Sequence, residues 1–153
     1  MDIVQAASPA QLELVRELFE EYWQSFGFTP CFQNFGAELA GLPGYYVPPG
    51  GRLALAMEGS AAAGCIALRR IDDTHCEAKR LYVRAQFRGH RTGFALLEWV
   101  IAEARSAGYR EMLGDTMPVM GRALAMYDRL GFERTGPYGS EPTPGAIYIR
   151  LKL

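Results

Sequence analysis

The amino-acid sequence predicts a single mixed α/β (α+β) domain with the element order β-α-α-β-β-β-α-β-α-β-β. Apolar residues repeat every three or four positions in two long segments, which is typical of amphipathic helices. Short apolar or alternating segments lie between turns rich in glycine, proline and aspartate, which is typical of strands. Right-handed β-α-β crossovers are expected around the last two helices. This order fits neither a doubly wound sheet nor a barrel.

The first half of the chain is predicted to hold one strand, two helices and a β-hairpin. Ser8 and Gln11 form a capping box around Pro9, which starts a helix whose apolar face runs to Gly27. The predicted bounds are a strand over 3–6, a second helix over 32–40, a loop over 42–51 and the hairpin strands over 52–57 and 62–69.

The second half begins with the strand predicted to be central, over 75–83. It leads through a basic turn into a helix over 94–107, which Gly108 ends. Pro118 is predicted to start the last helix and Gly131 to end it. The remaining strands are predicted over 109–116, from Phe132 onward, and over 146–153.

Composition and charge restrict the classes of partner. The 153 residues are predicted to form one domain over 1–153, with 49% hydrophobic and 22% charged residues, as in a soluble globular protein. The net charge of −1 gives no overall attraction to nucleic acid. No apolar segment approaches the ~20 residues that span a membrane, and the first residues lack a signal sequence. Cys31, Cys65 and Cys76 have no paired spacing, which predicts reduced, buried thiols in a cytoplasmic protein.

The basic turn between residues 84 and 93 has the features of a phosphate site. Gly89 and Gly93 allow the backbone to approach an anion closely. The first N–H groups of the following helix point outward, and the helix dipole favours negative charge there. On a nearly neutral protein, this local cluster suits a small anionic ligand better than a polyanion. The arginines expected around the turn are Arg80, Arg84, Arg88 and Arg91.

Several other catalytic motifs are absent from the sequence. The turn has neither the Walker pattern Gly-x-x-x-x-Gly-Lys-Ser/Thr nor the dinucleotide pattern Gly-x-Gly-x-x-Gly. No Gly-x-Ser-x-Gly elbow for a serine nucleophile is present. His75 and Glu77 have the spacing seen in zinc deaminases, but no Pro-Cys-x-x-Cys follows them, so we predict no metal.

The turn resembles the pyrophosphate loop of the GNAT superfamily of acetyl-CoA-dependent N-acetyltransferases, Gln/Arg-x-x-Gly-x-Gly/Ala. The segment from Gln86 to Gly89 matches its first half, and Gly93 matches a second small position. Arg91 stands where the family usually has glycine or alanine.

A second block resembles the family's Ala-x-x-Leu/Met-Tyr-x-x-x-Gly-Phe pattern. It runs from Ala123 to Phe132 and places Tyr127 at the tyrosine position. An asparagine that is frequent three residues before the alanine is Met120 in this chain. The two blocks together cover roughly the C-terminal half of the sequence.

The resemblance implies a central mixed, mostly antiparallel sheet flanked by helices, with acetyl-CoA as cosubstrate and no metal. The backbone of Leu81 and Val83, on either side of Tyr82, would pair with the pantetheine arm. The side chains of Arg88 and Arg91 are expected, from the residues themselves, either to contact phosphate or to be solvated. The backbone N–H groups implied to hold the pyrophosphate are those of Arg88, Gly89, His90, Arg91, Thr92, Gly93 and Phe94.

Two side chains are candidates for acid–base roles. In the family a tyrosine at the position of Tyr127 serves the leaving thiolate; the alternative is a tyrosine of the core. Glu77 is predicted as the base that takes the proton of the amine. Strand alternation predicts it on the same face as Lys79, Leu81 and Val83, and the alternative role is a salt bridge to Lys79 or to a neighbouring strand.

The acceptor is expected to be a primary amine of a small molecule or an amino acid. Specificity in such folds lies in the early helices and the late loop, which here are residues 22–46 and 135–145. Both stretches are apolar or aromatic with few charges, which does not suit a basic protein tail. A non-catalytic acyl-CoA-binding or sensing module on the same fold is the alternative, and a homodimer is a family-level expectation.

Overall fold

The computed structural model describes residues 1–25, 35–117, 121–139 and 145–153, and within them the predicted element order is confirmed. The strands are β1 (Asp2–Gln5), β2 (Arg52–Glu58), β3 (Ala61–Arg70), β4 (His75–Val83), β5 (Glu111–Thr116), β6 (Glu133–Thr135) and β7 (Ile147–Lys152). The helices are α1 (Pro9–Ser25), α2 (Phe35–Ala40), α3 (Thr92–Ser106) and α4 (Gly121–Arg129), with a 3₁₀ turn at Ala85–Phe87. Predicted positions outside the described residues are Gly27, Cys31, 32–34, Pro118, Met120 and 140–144.

Local sequence signals account for the helix bounds. The Ser8 Oγ accepts a hydrogen bond from the Gln11 N–H at 3.2 Å, and the Gln11 Oε1 accepts one from the Ser8 N–H at 3.1 Å, so the capping box is confirmed. Gly108, which follows the last turn of α3, has a φ of 90°, a conformation that glycine adopts without strain. None of the described helices is long and apolar enough to cross a membrane.

The described strands form one sheet in the order β1-β2-β3-β4-β5-β7-β6. β4 and β5 are parallel, and the other neighbouring pairs are antiparallel. One face carries α1 and α2 over a core that includes Val15 and Phe19. The other face carries α3 and α4 over a core that includes Leu97 and Tyr127. Cys65 and Cys76 are buried free thiols, as predicted.

The parallel strands β4 and β5 separate before either of them ends. Their last paired residues are Ala78 and Gly114. Beyond that pair, β4 remains paired with β3 as far as Val83, and β5 remains paired with β7 as far as Thr116. A gap therefore opens inside the sheet at the carboxyl ends of two parallel strands, which is where open α/β sheets bind their ligands.

A β-bulge accompanies the separation of the strands. Where β4 passes Ile66 of β3, two residues, Arg80 and Leu81, occupy the place of one. Arg80 has a φ of 61°, in the left-handed region that non-glycine residues rarely adopt.

The bulge overturns the prediction that Glu77 shares a face with Leu81 and Val83. Ala78 and Leu81 both lie in the core beneath α3, although strict alternation would place them on opposite faces. Glu77 and Lys79 therefore share the face of α1 and α2, while Leu81 and Val83 lie on the face of α3. The alternating pattern of the sequence gives no sign of the extra residue.

Candidate functional site

The turn between β4 and α3 presents a row of unpaired backbone donors. The N–H groups of residues 89–94 have no hydrogen-bond acceptor among the described residues. Arg91, the residue before α3, makes no side-chain cap, so the start of the helix stays open. The positive φ of Gly89 (85°) and of Arg91 (60°) curves the backbone into a concave turn, as in anion-binding nests.

Two residues of the turn depart from the expected arrangement. The N–H of Arg88 donates to the Ala85 carbonyl at 3.2 Å, so this donor is used within the 3₁₀ turn rather than offered to a ligand. Arg91 adopts a left-handed conformation, which costs a non-glycine residue about 1–2 kcal/mol. This conformation explains in physical terms why glycine suits that position, and the backbone of Arg91 adopts it nevertheless.

Gly93 brings three elements together behind the turn. A Cβ at this position would stand 3.2 Å from the Met126 Cε of α4 and 3.6 Å from the Val83 Cγ2 of β4. The absence of a side chain therefore lets the start of α3 lie close to both elements. The unpaired N–H groups are held next to the open edge of β4 as a result.

Two of the four arginines predicted at the turn are found there. The Arg88 Nε donates to the Val83 carbonyl at 2.9 Å. The Arg91 guanidinium lies 5.0 Å from the centre of the Phe94 ring. Both guanidinium groups therefore lie next to the row of donors.

The other two arginines hold the early helices, so the prediction that they surround the phosphate is wrong. Arg84 pairs with Glu21 of α1 at 2.7 Å. Arg80 makes two hydrogen bonds to Glu38 of α2, at 2.9 and 3.1 Å, and lies 5.1 Å from the Trp23 ring. These contacts dock α1 and α2 on β4, a role that the sequence pattern did not indicate.

Tyr127 lies on α4, in the core of the sheet face that carries α3 and α4. Its ring is buried and packs edge-on against Phe132, at 5.2 Å between centres. Its hydroxyl has no hydrogen-bond partner among the described residues. Burial raises its pKa above the ordinary value, and the charge of Asp115 adds to the rise.

Glu77 is buried and fully hydrogen-bonded. Its Oε1 accepts from the Arg69 Nε of β3 at 2.6 Å, and its Oε2 accepts from the Tyr138 hydroxyl at 2.7 Å. The Lys79 Nζ lies 3.9 Å from Oε1. The salt bridge to a neighbouring strand, one of the two roles considered for this residue, is thus present.

Asp115 is a candidate site residue that the sequence analysis missed. It follows Gly114 on β5, at the carboxyl end of the strand next to the central one, and that position was the available signal. Burial raises its pKa above the ordinary value and the nearby charge of Glu77 adds to the rise, while Lys79 and Arg80 oppose it. We call the polar side chains on this face the sheet-face cluster, which consists of Arg69, Glu77, Lys79, Asp115 and Tyr138.

The fold and the turn define a mixed α/β protein with a row of unpaired backbone N–H groups at a helix start, beside a gap in its sheet. Residues 12–132 match the acetyltransferase (GNAT) family, and the chain belongs to that family. It is accordingly an acyltransferase. Among the described residues, no group of three or more His, Cys, Asp or Glu side chains could hold a metal ion.

Individual relatives agree with this assignment. The chain is 37% identical over 147 residues to an uncharacterized N-acetyltransferase of Schizosaccharomyces pombe, with 95% of this chain and 90% of the relative covered. An acetyltransferase structure from Streptococcus agalactiae has a TM-score of 0.84 at 21% identity, covering 99% of this chain and 98% of that one. An aminoglycoside 6'-N-acetyltransferase complexed with coenzyme A has a TM-score of 0.72 at 14% identity, covering 99% and 97%. Coenzyme A thus occupies a protein of the same fold.

The Arg80–Glu38 ion pair is expected to stabilise the folded protein strongly. We predict that Glu38→Gln lowers the free energy of unfolding by about 3 kcal/mol at pH 7, because it leaves a buried guanidinium without its counter-charge. Urea unfolding measures the loss. Glu13→Gln, which removes the exposed partner of Arg16, is the matched control and should change stability by less than about 0.5 kcal/mol.

The pH dependence of this effect has a definite sign. Burial raises the pKa of Glu38, but the hydrogen bonds and charge of Arg80 and the Tyr46 hydroxyl outweigh burial, so the pKa lies below its ordinary value. The stabilisation is therefore present above about pH 4.3, the ordinary pKa of glutamate, and is lost as the pH falls through the folded-state pKa. A difference between wild type and variant that grows toward acid pH would contradict this account.

Proposed function

We propose that the chain transfers the acetyl group of acetyl-CoA to a primary amine of a small molecule or amino acid. The observation that carries the proposal is the row of unpaired N–H groups over residues 89–94, which stands beside the open edge of β4. A concave row of donors at a helix start suits a pyrophosphate, and an unpaired strand edge suits an arm that carries amides.

The residues of β4 and of the turn would share the binding of the cosubstrate. Leu81, Tyr82 and Val83 lie on the strand edge that β5 leaves open, and this edge would pair with the pantetheine arm. The N–H groups from Gly89 to Phe94 would hold the pyrophosphate, with added charge from Arg88 and Arg91. Acetyl-CoA supplies a thioester, an acyl group already activated for attack by an amine.

A carboxylate on the face of α1 and α2 would take the proton of the amine. Glu77 is the candidate that the sequence predicts, and both of its oxygens already accept hydrogen bonds. Asp115 has no ion pair within 4 Å among the described residues, and its raised pKa makes it a better proton acceptor than an ordinary aspartate. We therefore assign the proton transfer to Asp115 and give Glu77 the role of orienting Arg69 and Tyr138.

Tyr127 would serve the leaving sulfur. Its raised pKa keeps the hydroxyl protonated, and the hydroxyl has no competing partner among the described residues. A protonated phenol beside the gap can donate a hydrogen bond or a proton to a thiolate.

Binding and turnover test the proposal separately. Acetyl-CoA at ~100 times its Kd should stabilise the protein by about 2.7 kcal/mol, and such a change should raise Tm by roughly 5–10 °C. Gly89→Ala should reduce the shift, because it strains the turn, whereas Gly59→Ala, strained in the same way in the β2–β3 hairpin, should retain it. Release of free thiol in the presence of an amine then distinguishes an enzyme from a non-catalytic acyl-CoA-binding module. No shift at millimolar acetyl-CoA would refute the proposal.

The role of Tyr127 predicts a selective loss of turnover. Tyr127→Phe should lower kcat by about 100-fold, as for loss of a general acid, while the Kd for acetyl-CoA stays within about twofold. Steady-state kinetics and calorimetry provide the two values. Tyr109→Phe removes a hydroxyl that is hydrogen-bonded to the Gly50 carbonyl, away from the gap, and should leave kcat unaltered. An unchanged kcat in Tyr127→Phe would rule out the assigned role.

The choice of base predicts different pH profiles for two variants. Asp115→Asn should lower kcat/KM by about 100-fold and remove one ionisation from the acid side of the profile, because the carboxylate must be deprotonated to act. Glu77→Gln should keep that ionisation and lower the free energy of unfolding, because it disturbs a buried salt bridge. The opposite pattern would assign the base to Glu77.

A further inference from the structure

Two opposite charges stand side by side where the sheet divides. Ala78 and Gly114 form the last pair of the parallel strands, so Lys79 and Asp115 are the next residue on each. Both belong to the face of α1 and α2, since Ala78 lies in the opposite core and Gly114 packs against Ile149 of that core. Neighbouring strands are about 4.8 Å apart, and here they are beginning to diverge.

The two charges do not neutralise each other. Within the described residues, Lys79 and Asp115 form no ion pair at 4 Å or less; the carboxylate within that distance of the Lys79 Nζ is that of Glu77, at 3.9 Å. That separation is too long for a hydrogen bond, and the oxygens of Glu77 are already held by Arg69 and Tyr138. The Lys79 side chain is 18% exposed, so its ammonium is largely withdrawn from water without a close partner.

Both groups respond to this lack of compensation. Burial lowers the pKa of Lys79, and the adjacent Arg80 charge lowers it further. Burial raises the pKa of Asp115 and the charge of Glu77 raises it further, while the charges of Lys79 and Arg80 offset only part of the rise. In each case the protein disfavours the charged form of the side chain. A ligand that places an opposite charge beside each side chain would favour the charged form again.

The charge balance of the cluster restricts the kind of ligand. The sheet-face cluster contains the cations Arg69 and Lys79 and the carboxylates Glu77 and Asp115, so it has no net charge. A polyamine would place a second cation near Lys79 and Arg80. A ligand with one positive and one negative end gives Lys79 and Asp115 each a close partner of opposite charge and leaves the balance unchanged.

We propose that the acceptor is an amine that carries its own carboxylate, an amino acid or a close analogue, with the carboxylate bound by Lys79 and the amino group by Asp115. This inference rests on the proposed acetyl transfer and identifies its substrate class. It makes Lys79 a specificity-determining residue. A charge-assisted contact of this kind should favour the free acid over its uncharged amide by roughly 10- to 100-fold in Kd.

Calorimetry with matched ligands tests the inference without depending on turnover. The probes are the protein-forming L-amino acids and their α-carboxamides, titrated into the protein with saturating coenzyme A. At least one amino acid should bind roughly 10- to 100-fold more tightly than its own amide. Lys79→Met should reduce that ratio to about 1, and Lys79→Arg should keep most of it. Lys152→Met, at an exposed lysine of β7, is the control and should leave the ratio unchanged.

The outcomes separate this inference from the proposed function. If the best-bound amide has the same Kd as its acid, or if no member of the series binds, Lys79 does not select a carboxylate and the inference is overturned. Equal rates of acetylation of acids and amides would also overturn the inference, but they would support the proposed acetyl transfer. A preference for acids that Lys79→Met abolishes, together with no thiol release from any amine, would support the binding site and refute the transferase proposal.

Discussion

The bulge at Arg80 is the constraint on which the site depends. It inserts a residue into β4 at the place where β5 departs, and it does so with a left-handed arginine that costs about 1–2 kcal/mol. A conformation of this kind persists when its surroundings hold it in several ways. Here two hydrogen bonds to Glu38 and the nearby Trp23 ring hold the side chain. The same contacts dock α1 and α2, so the helices on this face and the gap in the sheet are stabilised together.

The order of the elements was predictable because helical and strand periodicities are local properties. β4 was predicted at its observed bounds, and the capping box at Ser8 was predicted with its partner. The bulge was not predictable in this way, because one inserted residue leaves the apolar pattern intact on either side. Its effect is nevertheless large, since it moves Leu81 and Val83 to the face opposite Glu77.

The candidate site was predicted in part for a similar reason. The glycines of the turn and the start of the following helix can be recognised in the sequence. The unpaired N–H groups from Gly89 to Phe94 could therefore be expected. The partners of Arg80 and Arg84 lie more than forty residues away, on α2 and α1, and spacing along the chain does not indicate them. Asp115 likewise owes its candidate role to β4, the neighbour of β5 in the sheet. Its place at the end of a predicted strand was a signal, but the sequence does not show which strand lies beside it.

In the proposed reaction, the acid and the base would lie on opposite faces of the sheet. Tyr127 approaches from α4, whereas Asp115 and Lys79 lie on the face of α1 and α2. Burial raises the pKa of both Tyr127 and Asp115, with different consequences. The tyrosine keeps the proton that a leaving sulfur needs, and the aspartate becomes more ready to accept one. The two groups do not share a hydrogen bond, so a proton does not pass directly from Tyr127 to Asp115. An acceptor bound through Lys79 at one end and Asp115 at the other would enter with a fixed orientation, with its nitrogen toward the gap. A single carboxylate could attract an amine but could not orient it, whereas the unlike pair at the point of separation would provide both binding and orientation.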